Sequence, residues 1–245
     1  MKARAGVKIL RVLGQKMLVP YHRPAGRDGK RFATVLFLHG FPGAEKSVDV
    51  QRELMARGIA SVAPHFLGAW GSGGDYRFTT LVPQARAVLR AARRFDFVDG
   101  RRVAVYGFSM GGWAALNLAA REPGLKAVVA VAPAGGPEMV GPGARAALAR
   151  LSAPLNAPKP GALLADFRRA VTLRDPARAV ARFKTPLLLV HGDEDQTVPL
   201  AVSRRLRALA AGPVRLVVER GGAHDLLDRR RGLARRVAIW LAARV

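Results

Sequence analysis

The 245-residue chain has no cysteine. That excludes a disulfide framework, a Cys-ligated zinc or iron–sulfur centre and a thiol nucleophile, and it leaves the redox compartment open. Acidic residues are scarce, 17 against 41 Lys plus Arg, for a formal net charge of +24; 33 of the bases are Arg. Such a field attracts nucleic acid and acidic membrane surfaces. The bases are scattered, however, in short clusters such as Arg204-Arg205, Arg229-Arg230-Arg231 and Arg235-Arg236. They form no tail and do not interleave with aromatics, so no nucleic-acid partner is expected. The reading is an Arg- and Ala-rich proteome, with thermal adaptation as a further source of the bias. Long apolar runs are missing too. The longest uncharged one, 127–137, is much too short to cross a bilayer. The start Met1-Lys2-Ala3-Arg4 is not followed by a signal peptide, because Lys8 and Arg11 interrupt the apolar stretch and no small-residue cleavage site follows. A soluble cytoplasmic protein without membrane insertion is expected. There is no G-x-x-x-x-G-K-[ST], no G-x-G-x-x-G around Gly71–Gly74 and no H-E-x-x-H. No phosphate cradle or metal site is therefore implied, and no cofactor is expected.

What remains is an ordinary globular composition, half hydrophobic and about a quarter charged. Short apolar runs alternate with longer amphipathic ones. Strands are expected at 7–13 and 16–21 (a hairpin through Gly14), and at 33–38, 59–63, 102–106, 126–132, 186–190 and 214–218. Helices are expected at 47–57, 81–95, 110–121, 200–211 and 233–243. This alternation predicts an α/β fold with a mostly parallel sheet of about eight strands and helices on both faces. The Pro-, Gly- and Ala-rich stretch 135–173 breaks the rhythm, with short helical pieces at 144–151 and 163–171. It is read as an insertion or lid within a single domain spanning 1–245.

Gly107-Phe108-Ser109-Met110-Gly111 is a G-x-S-x-G. Alone it is a weak signal, but it follows a strand and opens a helix, the context a nucleophile elbow requires. Such a turn strains the serine backbone, and flanking glycines remove side chains that would clash. The serine then sits at the C-terminal edge of the sheet, where α/β folds bind ligands. A serine hydroxyl needs a base. Of the five histidines, only His224 lies in a loop after the last strand and before the final helix. His39 and His191 each end a strand before Gly and are read as turn-shaping side chains. His65 is a candidate pocket residue, and His22 is read as exposed. The base in turn needs an acid to orient it. Gly192-Asp193-Glu194-Asp195 ends another strand, and the order Ser…Asp…His fits. A solvated acidic turn is the competing reading of those carboxylates.

Five segments together resemble the α/β-hydrolase superfamily: His39-Gly40-Phe41-Pro42-Gly43, Gly71-Ser72-Gly73-Gly74-Asp75, the Ser109 turn, His191-Gly192-x-x-Asp195-x-x-Val198-Pro199, and Gly222-Ala223-His224. Within it the chain is most similar to dienelactone-hydrolase-like esterases and to the catalytic domains of prolyl-oligopeptidase-type peptidases. The resemblance implies the α/β-hydrolase fold, selects Asp195 as the acid, and assigns the oxyanion donors to the backbone N–H groups of Phe41 and Met110. It departs from dienelactone hydrolases in carrying Ser109 where they carry Cys, and from prolyl oligopeptidases in having no room for their propeller. Trp70 and Phe66 are candidate substrate-pocket walls; Trp113 and Trp240 are read as core.

The expectation is a serine hydrolase of small carboxylic esters, using Ser109, His224 and Asp195 without metal or cofactor. Its activity should fall as pH drops through the imidazole range, about 6 to 7. A peptidase or amidase, an acyltransferase, and a non-catalytic basic nucleic-acid-binding scaffold are the alternatives. Oligomeric state and substrate identity are not legible.

Overall fold

The computed structural model describes residues 2–245, so Met1, where the N-terminal reading begins, lies outside the described residues. One eight-stranded sheet organises the chain, with strand order β1-β2-β4-β3-β5-β6-β7-β8. β1 (Arg4–Val12) and β2 (Gln15–Arg23) form an antiparallel hairpin. Leu13 and Gly14 both have positive φ at its turn, as a two-residue hairpin loop demands. β2 pairs antiparallel with β4 (Ala60–Val62), and all later pairings, through β3 (Phe32–Leu38), β5 (Val98–Phe108), β6 (Val128–Val131), β7 (Leu187–Gly192) and β8 (Val214–Glu219), are parallel.

The apolar runs are continuous because the central strands are covered on both faces. Leu36 and Leu38 face one core, shared with α2 (Leu81–Ala92), α3 (Met110–Ala119) and the insertion. Val35 and Phe37 face the other, shared with α1 (Val48–Ala56) and α8 (Arg230–Ala242). Between β6 and β7 lie α4 (Ala144–Leu151), α5 (Pro160–Leu173) and α6 (Pro176–Val180); α7 (Leu200–Leu209) connects β7 to β8.

Three differences from the sequence reading have identifiable structural causes. β5 runs on to Phe108, directly against Ser109, because Gly107 and Phe108 pair with Ala130 and Val131 of β6. α6 was not expected from its five residues; Pro176 at its first position and the Asp175 side chain, which accepts from the Ala177 amide at 2.9 Å, are enough to start it. His22 is half-buried, not exposed, with Nδ1 3.0 Å from Gln51 Oε1, because β2 is covered by α1. Among the described residues no helix is long and apolar enough to cross a membrane.

Candidate functional site

Ser109 stands between β5 and α3 with φ 53° and ψ −120°. A non-glycine residue persists in that region only where its surroundings over-determine it, and here they do. The Ser109 amide donates to Val131 O at 2.9 Å, and its carbonyl accepts from Trp113 and Ala134 amides at 3.0 and 3.1 Å. The turn is so tight that a Cβ on Gly107 would lie 2.1 Å from Gly111 O, and one on Gly111 would lie 1.9 Å from Leu38 O. Both positions therefore admit only glycine.

Two further loops bring the partners. His224 follows β8, and its Nε2 is 3.0 Å from Ser109 Oγ. Asp195 follows β7, and its Oδ2 is 2.7 Å from His224 Nδ1. These loops are braced backbone to backbone. The Glu194 amide donates to Gly222 O at 3.1 Å, and a Cβ on Gly192 would sit 2.0 Å from that same oxygen. Asp193 Oδ1 accepts from the Gly221 amide at 2.7 Å, so this neighbouring carboxylate ties down the histidine loop.

Asp195 is fully enclosed at the side chain. Its Oδ1 accepts the amides of Thr197 and Val198, both at 2.8 Å. Burial works to raise its pKa, but hydrogen bonds from His191, His224 and the Val198 amide outweigh that and hold the carboxyl well below the usual carboxylate range. The ionised oxygen accepts a hydrogen bond from His224 Nδ1–H, which leaves the Nε2 lone pair facing the Ser109 hydroxyl.

His191 has a contact that its turn-shaping reading missed. It is completely buried, and its Nε2–H donates to Val198 O at 2.8 Å with Asp195 Oδ2 3.2 Å away. A carbonyl can only accept, so the proton is on Nε2. Nδ1 then accepts from Ser203 Oγ at 2.7 Å. The i,i+4 spacing of His191 and Asp195 was the available signal.

The loop after β3 carries Phe41. His39, buried at the strand end, donates from Nδ1 to Gly40 O at 2.7 Å and accepts the Phe66 amide on Nε2 at 3.1 Å. Burial pushes its pKa down to about 3, so it is neutral here. Among the described residues the backbone amides of Phe41 and Met110 have no hydrogen-bond partner. Both residues line, with Ser109 and His224, a cavity of about 710 Å³. Its walls are mainly apolar. Phe41, Phe78 and Phe167 form a ring-to-ring series at 5.0 and 4.9 Å that runs from the β3 loop to α5, and α4 supplies Ala147 and Leu148. Glu138 and Arg150 are its charged lining residues.

Phe66 and Trp70 do not line this cavity. Phe66 is buried against the His39 ring, 4.8 Å between centroids. Trp70 donates from its indole to Pro42 O at 2.9 Å and lies under Lys46, so it steadies the Phe41 loop from outside. His65 also stays out of the cavity, donating to Trp70 O at 2.8 Å. What the sequence reading lacked were Phe78 and Phe167, which only folding brings to Ser109; the helical piece expected at 144–151 is α4. Trp113 is buried in the core, and Trp240 is half-buried beneath Arg244. Among the described residues no group of three or more His, Asp or Glu side chains converges on a metal-binding set.

Comparison with solved structures finds the same fold. Est1E from Butyrivibrio proteoclasticus superposes with a TM-score of 0.77 at 22% identity, over 98% of this chain and 100% of that one. A dienelactone hydrolase from Anabaena variabilis gives 0.71 at 18% identity, over 100% of both chains. A puromycin-hydrolyzing peptidase from Mycobacterium tuberculosis gives 0.74 at 23% identity, over 98% of this chain and 38% of that one. With the sheet order and the strand-edge site described above, and with residues 35–236 matching its sequence pattern, the chain belongs to the alpha/beta hydrolase family.

Proposed function

We propose that the protein is a serine hydrolase that cleaves carboxylic esters through an acyl-enzyme. The observation that carries this reading is the unbroken hydrogen-bonded series from Asp195 through His224 to Ser109, open to an apolar cavity. Ser109 Oγ attacks the ester carbonyl carbon while His224 Nε2 takes the hydroxyl proton. The carbonyl oxygen becomes an oxyanion held by the Phe41 and Met110 amides, each contributing about 3 kcal/mol to lowering the barrier. The tetrahedral adduct collapses, and the alcohol leaves with the proton from His224. Water then attacks the acyl carbon, with His224 again the base, and releases the acid and Ser109. Asp195, held ionised, orients His224 and stabilises its cationic form.

In this reading the described residues form one hydrolase domain, and 135–173 acts as the lid over the acyl site. The three phenylalanine rings favour a bulky apolar or aromatic ester over a short polar one. Est1E has been solved with ferulic acid bound, an aromatic acid that a cavity walled by such rings would accept.

Labelling with a fluorophosphonate tests the nucleophile: wild type should be modified at Ser109, and Ser109→Ala should lose both label and at least about 10³-fold in ester turnover. Turnover of a nitrophenyl ester is then compared with that of an aminoacyl anilide. Preference for the anilide would replace esterase with peptidase; product partitioning to added alcohol would make the enzyme an acyltransferase. An unlabelled wild type would refute the proposal.

A further inference from the structure

A second cavity, of about 300 Å³, opens where α2, the end of α3 and the chain after α5 meet. Its lining is Val82, Pro83 and Ala87 with four guanidinium side chains: Arg86 and Arg90 from α2, Arg121 after α3, and Arg174 after α5. One carboxylate serves this region. Glu122, almost fully buried, pairs with Arg86 and lies 3.7 Å from Arg90 and 3.8 Å from Arg93. Its charge is thus shared among three arginines and is not available to Arg121 or Arg174. Among the described residues those two form no ion pair. The Arg121 guanidinium donates only to Asn117 O, at 3.0 Å, and Arg174 Nε is buried without a hydrogen-bond partner.

Five arginines and one glutamate leave a local charge of +4 (5 − 1) beside one concave surface. Bringing guanidinium groups together is unfavourable, as for the like-charged i,i+4 pair Arg86 and Arg90. Burial and the Arg121 charge both depress the Arg174 pKa, the signature of a cation short of a counter-charge. Arg204 and Arg207, by contrast, line a groove contributed only by α7 and β8. Planar guanidinium forks match phosphate oxygens in pairs, and several forks from different elements suit a group with more than one negative charge.

We propose that this cavity, away from Ser109, is a binding site for a phosphate-bearing ligand, with Arg121 and Arg174 as its principal donors. The ligand's phosphate is either free, as in a small phosphate ester or diphosphate, or part of a lipid headgroup.

The test is calorimetric titration with inorganic phosphate and pyrophosphate at constant ionic strength, paired with sedimentation of vesicles of phosphatidic acid in phosphatidylcholine. Wild type, Arg121→Ala/Arg174→Ala and the control Arg204→Ala/Arg207→Ala are compared; Arg121→Gln/Arg174→Gln replaces the first variant if circular dichroism shows it unfolded. Saturable binding weakened at least tenfold in the Arg121/Arg174 variant, and unchanged in the control, supports the site. Binding in the titration identifies a free phosphate, and binding to vesicles alone identifies a headgroup. Absence of binding in both arms, or equal weakening in both variants, overturns it. Ester turnover should be equal in wild type and both variants.

Discussion

The floor and the roof of the Ser109 cavity are built by different physics. The floor is backbone against backbone: Gly107 against Gly111, Gly192 against Gly222, and amides of Thr197 and Val198 on Asp195. Apart from the Phe41 and Met110 amides its polar groups are hydrogen-bonded, and its geometry tolerates almost no added atom. The roof is made of side chains on helices. α4 begins at Gly143 without a side-chain cap and has Leu148 as its one buried residue. The 710 Å³ beneath it is bounded mainly by alanines, prolines and rings that offer apolar area, with Glu138 and Arg150 as its charged lining residues. Proton transfer needs tenths of an ångström, whereas accommodating an acyl chain needs only apolar surface. The contrast predicts that floor changes act on turnover and roof changes on substrate preference.

The largest effect is expected at the floor. Gly192→Ala places a methyl 2.0 Å from Gly222 O and must part the loops carrying Asp195 and His224. Ester kcat should fall by more than about 100-fold with the protein still folded, since a displacement of about 1 Å at reacting groups costs that much. Native-like turnover in this variant would show that the loops are not rigidly coupled.

His191 sharpens the comparison, because it touches the floor without reaching the cavity. His191→Leu removes a donor beside the Asp195 carboxylate and should lower kcat about 10–100-fold with KM unchanged, the scale of one hydrogen bond to a charged group. His191→Gln, which retains a donor, should recover part of it. A change in KM alone, or no recovery with Gln, would leave His191 a packing residue and not a positioning one.

The Phe41 loop rests on His39, which is neutral in the fold with a pKa of about 3 against 6.5 in the unfolded chain. The unfolded state therefore binds more protons at acid pH. Stability is insensitive to His39 above about pH 6.5 and falls as pH drops from there toward 3. Asp195 acts in the same direction lower down: its depressed pKa stabilises the fold above the ordinary carboxylate range, and that contribution is lost on acidification. Urea unfolding at pH 7 and pH 5 should show wild type losing about 2 kcal/mol to His39. His39→Gln should lose correspondingly less. Equal losses would mean that His39 is protonated in the native state.

The smallest effect belongs to the roof. Ala147 is exposed and lines the cavity, so Ala147→Leu should leave stability within about 0.5 kcal/mol. It should nevertheless shift relative kcat/KM along an ester chain-length series by about 10-fold. An unchanged series would place the acyl chain elsewhere than under α4.

The strand runs and the Ser109 turn were legible because their signals are local: a buried strand is a run of apolar residues, and a tight turn requires glycine where it is written. Asp195 and His224 were legible because each follows a strand end, and a parallel sheet gathers such ends at one edge. His22, His65, Phe66 and Trp70 were misplaced for the opposite reason. Whether a side chain near a strand end faces a cavity, supports a loop or packs under a helix depends on elements distant in the chain. Phe78 and Phe167 reach Ser109 across a gap no periodicity records.

The order of short apolar and amphipathic segments was sufficient to set the layered α/β plan and the residues at the reactive edge, because both follow from the burial and backbone rules of neighbouring positions. The cavity walls, the contact of His191 with Asp195 and the convergence of Arg86, Arg90, Arg121 and Arg174 exist only after folding. Each joins residues from separate helices and strands, and what brings them together is the packing of whole elements and not the preference of any one segment.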